Sequence, residues 1–259
     1  MEETAVNEVV EVRKIKIGEG IPKICVPIVG VNQKEVLEEA KVINTKKSDL
    51  VEWRIDYYED VDKFNKVKET LLELRRILSN KPILITFRSA NEGGQLEISK
   101  EDYYMLIKSI LNTQIADLVD VELFMGEDVV KELVQIAHNN NVKVVMSSHD
   151  FDKTPPKEEI INRLRKMQDL NADLPKIAVM PKNSSDVLSL LCATEEMRTK
   201  YANRPIITMS MAGIGTISRI SGEIFGSSIT FASLKKASAP GQIQVDKLNN
   251  ILKLLHDCK

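Results

Sequence analysis

In the stretch LVEWRID at residues 50–56, apolar and charged side chains alternate from Val51 onward. Successive side chains of a β-strand point to opposite faces of the sheet, so this stretch predicts a strand with two unlike faces. Val51, Trp53 and Ile55 form the apolar face. The charged face carries Glu52, Arg54 and Asp56. A strand of this kind predicts a sheet with a hydrophobic layer on one side and a polar interior on the other.

Other short apolar stretches show strand patterns, and many of the segments between them carry apolar residues at helical spacing, as Phe64, Val67, Leu71 and Leu74 do. Strands that alternate with amphipathic helices are typical of repeated βα units and a parallel sheet. The predicted strands comprise residues 23–28, 50–56, 83–88, 116–123, 142–149, 176–180, 206–210 and 228–232.

Eight such units in a chain of 259 residues predict an α/β fold, a single (β/α)8 TIM barrel over residues 1–259. Residues 9–18 alternate and end in Gly-Glu-Gly, which predicts a β-hairpin closing the bottom of the barrel. The alternative is an antiparallel or open sheet whose polar face meets solvent. The intervening helices argue against it because they would leave no such wet face.

The inward faces of the predicted strands are rich in charge. They carry Glu52, Arg54, Asp56, Arg88, Asp120, Glu122 and Lys176. An ordinary barrel interior holds branched apolar side chains, and an unpaired charge there costs several kcal/mol. These charges are therefore expected to be paired with one another and to mark a functional site.

The amino-acid composition limits the classes of binding partner that the protein is expected to have. Lys and Arg total 36 against 38 Asp and Glu, so the net charge of −2 gives no electrostatic case for nucleic acid or an anionic membrane. No apolar run approaches the roughly 18 residues that span a bilayer, and the acidic N-terminal segment is unlike a signal peptide. Cys25, Cys192 and Cys258 lack the spacing of a zinc site or a disulfide framework. A small-molecule partner and a cytoplasmic location are expected.

Lys176 lies in DLPKIAVMP at residues 173–181, a short strand pattern bounded by prolines whose other inward residues are apolar. A free lysine is neutral in only about one molecule in a few thousand at pH 7. Burial or nearby arginine charge can make such an amine neutral and able to attack a ketone. The strand pattern alone is equally compatible with a structural lysine paired with Asp120 or Glu122.

His149 is the one histidine of three that ends a predicted strand, in VVMSSHDF at residues 144–151. Active sites of such barrels lie at the carboxyl ends of the strands, and imidazole suits proton transfer near neutral pH. Glu92, on the glycine-marked loop after the third strand, is predicted to reach back over the mouth and orient this imidazole. A strand-end histidine considered alone is more often a capped or solvent-facing residue.

Two arginines are candidates for binding a substrate carboxylate. Arg88 is expected at the rim after the third strand, and Arg219 follows the seventh, so that together they offer the fork geometry arginine provides. Either one alone is better interpreted as a surface ion-pair partner. Gly213 and Gly215 are interpreted as a structural turn, because the third glycine and the following lysine of a phosphate loop are missing.

Seven segments, in order along nearly the whole chain, resemble type I 3-dehydroquinate dehydratases, which remove water from 3-dehydroquinate to give 3-dehydroshikimate. They are EWRID from Glu52, TFRS from Thr86, MSSHDF from Met146, PKIAVMP from Pro175, TMSM from Thr208, SRISGEIFGS from Ser218 and ASAPGQ from Ala237. So many matching segments in one order are highly specific.

The resemblance implies a Schiff base between Lys176 and the substrate ketone, His149 as general acid and base, and Glu92 as the partner of that histidine. It also implies a carboxylate site at Arg219. Hydroxyl and carboxylate contacts are further implied for Glu52, Arg54, Arg88, Ser238 and Gln242. The resemblance implies no metal or organic cofactor, and it suggests a homodimer that serves the shikimate pathway.

Pro27 departs from the family pattern, in which some members carry a serine that touches substrate. Proline has neither a side-chain nor a backbone donor, which puts that contact in doubt here. Two rival interpretations are a class I aldolase, which uses a barrel lysine to break a carbon–carbon bond, and a catalytically inactive barrel that binds a small carboxylate. A phosphate loop would favour the aldolase. The combination of Lys176, His149 and Glu92 argues against the inactive barrel.

Overall fold

The computed structural model describes residues 8–234 and 238–258. The strands are β1 (Val10–Val12), β2 (Ile15–Ile17), β3 (Lys23–Ile28), β4 (Leu50–Arg54), β5 (Ile83–Thr86), β6 (Leu118–Glu122), β7 (Lys143–Asp150), β8 (Leu174–Val179), β9 (Ile207–Ser210), β10 (Ile229–Ser233) and β11 (Ile243–Gln244). The α-helices are α1 (Gln33–Asn44), α2 (Phe64–Ile77), α3 (Lys100–Leu111), α4 (Glu127–Asn139), α5 (Lys157–Asp169), α6 (Ser184–Glu196), α7 (Thr216–Ile220), α8 (Gly222–Phe225) and α9 (Val245–Asp257). Ala237, the first residue of the ASAPGQ segment, lies outside the described residues.

The strands from β3 to β10 form a closed parallel barrel. Each strand from β3 to β8 pairs in parallel with the next along the chain, and β10 pairs with β3. A parallel bridge between Ile206 and Ser227 joins β9 to β10, and the N–H of Ser228 donates to the Ile206 carbonyl at 2.8 Å. This ring confirms the predicted TIM-barrel fold and excludes the open sheet.

Most predicted strand boundaries differ from the observed ones by one or two residues, and two of these differences affect site residues. The second barrel strand ends at Arg54, and Asp56 lies in a 3-10 turn, where its carboxylate folds back to accept two hydrogen bonds from the Arg54 guanidinium. The strand that holds Lys176 begins at Leu174, so that Pro175 lies within it as the register partner of Met146 rather than marking its end.

The helices cover the barrel with apolar stripes. In α2, the predicted residues Val67, Leu71 and Leu74 are buried against the outer face of the sheet. The Asn32 side chain caps α1 by accepting the Glu35 N–H, as an N-cap residue satisfies an otherwise unpaired donor. None of the described helices combines the length and the apolar composition needed to cross a bilayer.

The hairpin formed by β1 and β2 closes the bottom of the barrel, as the alternating pattern of residues 9–18 predicts. Val10, Val12 and Ile17 pack with the first inward side chains of the barrel strands, such as Leu50 and Leu118. This lower layer is entirely apolar. Charge is therefore confined to the inward side chains nearer the carboxyl ends of the strands.

Candidate active site

The inward charges surround a cavity at the carboxyl ends of the barrel strands, with about 460 Å³ of space that opens to solvent. Most of the predicted site residues line it. They are Glu52, Arg54, Arg88, Glu92, His149, Lys176, Ser238 and Gln242. Arg219 does not line the cavity; its guanidinium lies behind Met209, which does.

Lys176 reaches the floor of this cavity from the middle of β8 and is only 4% exposed. Its Nζ lies 3.4 Å from Oδ2 of Asp120, so the salt bridge considered for a structural lysine is present. The same Nζ stands 4.6 Å from the centre of the Phe231 ring. The amine is thus held by an anion and an aromatic face while remaining at the edge of open space.

Arg88 joins three carboxylates. Its Nη1 donates to Glu122 at 2.8 Å and to Glu92 at 3.2 Å, and its Nη2 donates to Asp120 at 2.8 Å. Nη1 also donates to the Ser147 hydroxyl at 2.9 Å. Arg88 lies just beyond the end of β5 and lines the cavity, but its side chain is buried and its guanidinium is committed to protein groups.

The charges of this network stabilise one another. Burial alone would lower the pKa of Arg88, but Asp120, Glu122 and Glu92 outweigh it and raise that pKa. Burial alone would likewise raise the pKa of Asp120, yet Arg88 and Lys176 hold it below its usual value. Both groups therefore stay charged inside the barrel, as expected for buried ions that are mutually paired.

His149 and Glu92 form a pair above Lys176. The Nδ1 atom of His149 lies 2.9 Å from Oε2 of Glu92, and the backbone N–H of His149 donates to the same oxygen at 3.0 Å. Glu92 is carried there by a 3-10 turn at Ala90–Glu92. The structure thus brings the two together as the loop position of Glu92 predicts.

Both members of this pair are shifted toward their uncharged forms. Burial, followed by the positive charges of Arg88, Lys176 and Arg54, lowers the pKa of His149 well below its usual value. Burial raises the pKa of Glu92 to about 8, although Arg88 opposes the shift. The imidazole is therefore neutral at pH 7 and able to accept a proton.

Arg219 is a buried cation without a carboxylate partner among the described residues. It lies in α7, is 2% exposed, and donates from Nη2 to the Pro240 carbonyl at 2.9 Å. Its Nε atom has no hydrogen-bond partner in the described part of the chain. Burial lowers the pKa of this guanidinium to about 10. Such a group favours an anion that arrives from outside.

The remaining predicted site residues are held by neighbouring side chains. Glu52 accepts a hydrogen bond from the Thr86 hydroxyl at 2.8 Å. Ser238 and Gln242 bond to each other, with the Gln242 Nε2 donating to the Ser238 hydroxyl at 3.0 Å. Their position at the cavity brings the segment after β10 into the site.

Sequence reasoning missed the cavity residues Phe151, Met209, Met211 and Phe231, and it missed Ser147, which bonds to Arg88 and Asp120 beneath the cavity. Strand alternation places Ser147 on the same face as His149 and could have identified it. Phe231 shares the inward face of its strand with apolar residues of the lower layer, so its pattern indicates only core packing. Its contact with Lys176 arises across the barrel, beyond what alternation reveals.

The glycine segment after β9 forms a turn, in which the Gly215 N–H donates to the Ala212 carbonyl. No group of three or more His, Cys, Asp or Glu side chains in residues 8–234 and 238–258 is arranged to hold a metal ion. Cys25 is a buried free thiol, and Cys192 and Cys258 are exposed free thiols.

Similarity to known proteins extends over nearly the full length of the chain. A sequence profile described as Type I 3-dehydroquinase matches residues 24–259. The 3-dehydroquinate dehydratase of Clostridium botulinum is 57% identical over 251 residues, which cover 97% of this chain and 99% of that protein. The 3-dehydroquinate dehydratase of Bacillus licheniformis is 55% identical over 250 residues, covering 96% and 98%.

A solved structure resembles the whole barrel. It is the type I 3-dehydroquinate dehydratase of Clostridium difficile with covalently modified comenic acid, which matches with a TM-score of 0.96 and 55% identity. The match covers 98% of this chain and 100% of that chain.

Proposed function

This chain belongs to the type I 3-dehydroquinase family, and from that premise we propose that it dehydrates 3-dehydroquinate to 3-dehydroshikimate through a Schiff base on Lys176. The observation that carries the proposal is that a buried amine and a neutral imidazole line one cavity. The amine supplies the covalent step and the imidazole moves the protons.

Lys176 begins the reaction as the nucleophile. Its neutral amine attacks the ketone carbon to give a carbinolamine, in which one amine proton has moved to the oxygen. The carbinolamine hydroxyl group then takes a further proton from solvent and leaves as water, and the C=N bond of a positively charged iminium ion forms. The positive nitrogen withdraws electrons from the adjacent carbon and makes the hydrogen on that carbon acidic. Asp120, ionised beside the nitrogen, balances the charge that the iminium carries.

His149 then transfers one proton from carbon to oxygen. With its Nδ1–H donated to Glu92, its Nε2 is the free base that removes the acidic proton and leaves an enamine. The enamine electrons expel the β-hydroxyl group, which takes the proton from the same imidazole and departs as water by syn elimination. Hydrolysis of the product iminium returns Lys176. Acid–base help of this kind contributes about 10²- to 10⁴-fold to a rate.

Arg219 supports binding of the substrate carboxylate. Its guanidinium is buried, lacks a carboxylate partner in the described residues, and has an unpaired Nε. Contacts to substrate hydroxyl groups are proposed for Glu52, Arg54, Ser238 and Gln242, which line the cavity. Arg88 is proposed as a further contact, although its donors already bond to Glu122, Glu92, Asp120 and Ser147.

The setting of this activity is also a proposal. From the family resemblance, we infer that the protein acts in the shikimate pathway, is located in the cytoplasm and forms a homodimer.

The test measures the enone product and the covalent adduct on Lys176 in the same experiment. The protein is incubated with 3-dehydroquinate, the ultraviolet absorbance of the conjugated enone is followed, and the imine is trapped with borohydride for mass spectrometry. We expect enone formation and a reduced adduct on Lys176, both of which are lost in Lys176→Met. Absence of enone and adduct in the unaltered protein would overturn the proposal.

Replacement of His149 separates the two chemical steps. His149→Ala should lower turnover by about 10²- to 10⁴-fold, since the proton transfer loses its base, while trapping of the imine on Lys176 persists. His138→Ala is the control, because that imidazole bonds to Asp173 away from the cavity and its loss should leave turnover unchanged. Loss of trapping with retained elimination would contradict the assigned roles.

A further inference from the structure

Two groups contact the Lys176 amine from within the barrel. Oδ2 of Asp120 lies 3.4 Å from Nζ, and the Phe231 ring centre lies 4.6 Å from it. Both side chains are buried, with Asp120 fully enclosed and Phe231 5% exposed. They contact the atom that would be the nitrogen of the Schiff base throughout the reaction.

Asp120 is built to stay an anion. Arg88 donates to its Oδ2 at 2.8 Å, and the Ser147 hydroxyl donates to its Oδ1 at 2.6 Å. A carboxylate that accepts charge-assisted hydrogen bonds of this kind is held ionised. Asp120 is therefore a fixed counter-ion rather than a proton acceptor.

Phe231 offers the second stabilising group. The face of an aromatic ring carries partial negative charge, and it attracts a cation within about 6 Å of its centre. This attraction is stronger at desolvated sites, and Lys176 and Phe231 are only 4% and 5% exposed. The ring thus favours positive charge on Nζ without taking a proton from it.

Formation of an imine leaves the lysine nitrogen with a single N–H that can donate to Asp120. An ammonium group has three N–H donors, whereas the protonated imine of a lysine retains one. Among the described residues, Asp120 is the one carboxylate within 4.0 Å of Nζ. The single remaining N–H is therefore directed at Asp120, which turns the substrate carbon away from it and toward the open cavity.

We propose that Asp120 and Phe231 act on the Schiff base itself, the carboxylate by orienting its N–H and the ring by stabilising its positive charge. This inference rests on the proposed Schiff base of Lys176. The nitrogen is positive in the first iminium, neutral in the enamine, and positive again once the hydroxyl group has left. A preorganised anion and ring favour both cationic states without rearrangement.

The experiment measures trapped adduct and turnover in variants of each group. The full-length protein is mixed with 3-dehydroquinate, quenched with borohydride at fixed times, and the Lys176 adduct is quantified by mass spectrometry beside the enone rate. Asp120→Asn keeps the shape and removes the charge, and we expect the adduct to fall by about tenfold or more. Phe231→Leu should lower it by about 3- to 10-fold.

Matched controls separate these contacts from general damage to the barrel. Asp173→Asn removes a partly buried carboxylate at the opposite end of the barrel, where it pairs with His138 and Lys143, and Phe87→Leu removes a buried ring on the outer face of the barrel wall. Both controls should trap the adduct as the unaltered protein does. A trifluorinated phenylalanine at position 231 retains the ring and weakens its negative face, and it should behave like Phe231→Leu.

The outcomes are distinguishable. Unchanged adduct levels in Asp120→Asn and in the trifluorinated variant, with normal trapping in the unaltered protein, would overturn this inference and leave the Schiff base intact. No adduct in the unaltered protein would overturn the proposed function and this inference with it. If Asp120→Asn does not fold, Asp120→Glu decides the role of the carboxylate, because it keeps the charge and displaces it from Nζ: a lowered adduct level supports that role and an unchanged one overturns it. The trifluorinated variant decides the role of the ring, because it changes the charge distribution and preserves packing.

Discussion

Lys176 and His149 are connected through a continuous chain of polar contacts. Lys176 contacts Asp120, Arg88 joins Asp120 to Glu92, and Glu92 contacts His149. The choice between a structural lysine and a reactive one is therefore not exclusive, because the same salt bridge that satisfies Lys176 holds it at the cavity. Arg88 and Asp120 stay charged inside the barrel because they are paired with each other.

The pH dependence of kcat/KM should report His149. Burial and nearby positive charge lower the pKa of its imidazole well below the usual 6.5, so the neutral base persists at pH 6.5 and is protonated only in more acidic solution. We expect the acid limb of the kcat/KM profile to lie below pH 6.5, since this profile reports groups of the free enzyme. An acid limb centred above pH 6.5 would contradict the assignment.

Arg219 should control substrate affinity. Arg219→Met removes the buried guanidinium proposed to meet the substrate carboxylate, and we expect KM to rise by about 10- to 100-fold, the value of a charge-assisted hydrogen bond. Arg76→Met, which removes an exposed guanidinium on α2, is the control. Steady-state kinetics with 3-dehydroquinate measure both, and an unchanged KM in Arg219→Met would exclude the contact.

The turn after β5 decides where Glu92 lies. Gly93 ends this turn with a positive φ of 81°, and a Cβ there would lie 2.2 Å from the Phe151 ring. Gly94 packs directly against the backbone of Arg88, so that a Cβ added at Gly94 would lie 1.8 Å from the Arg88 carbonyl oxygen. Two adjacent glycines therefore allow the loop to fold tightly enough to bring Glu92 onto His149.

Gly93→Ala should impair this turn. The new methyl group displaces Phe151 or the turn, which costs about 1–3 kcal/mol of stability and moves Glu92 from His149, so kcat should fall. Gly20→Ala is a matched control, since Gly20 has a φ of 69° and nothing within 4 Å of a Cβ. Gly20→Ala should lose stability through backbone strain alone and should keep a normal kcat. Denaturation curves measure the stability of the two variants, and turnover assays measure their kcat. Equal kcat in Gly93→Ala and Gly20→Ala would contradict this role of the turn.

The whole barrel divides into an apolar lower half and a charged upper half. The hairpin and the first inward side chains form a dry layer, and the charges begin one inward position further along the strands, at Glu52, Asp120 and Lys176. The lower half supplies hydrophobic stabilisation, which offsets the cost of buried charge above it.

Ile17→Ala tests this division. Ile17 is fully buried in the lower layer, and its truncation should lower the free energy of unfolding by about 2–5 kcal/mol in urea titrations. We propose that hairpin and barrel unfold as one unit, so a single transition is expected. Val9→Ala, at a residue 45% exposed, should change little. A large loss of kcat/KM in folded Ile17→Ala would contradict the separation of the two halves.

Local patterns in the sequence determined the faces of the strands and the order of the elements. The alternation in LVEWRID separates Glu52 and Arg54 from Trp53 because a strand repeats every two residues, and this periodicity requires no knowledge of neighbouring strands. The same reasoning placed Lys176 on the inward face, and the position of His149 at the end of a strand placed it at the mouth of the barrel. The identification of 3-dehydroquinate depended on family resemblance, since the residues alone indicate only β-elimination or related carbanion chemistry.

Tertiary structure alone decided which inward groups meet. Arg88 follows β5, its carboxylate partner Asp120 lies on β6 and Ser147 on β7, so their contact depends on the register of strands that are far apart in sequence. An isolated arginine at a strand end was therefore predicted at the rim and found buried. Phe231 meets Lys176 only because the sheet closes on itself through Ile206 and Ser227, a long-range constraint that strand periodicity does not encode.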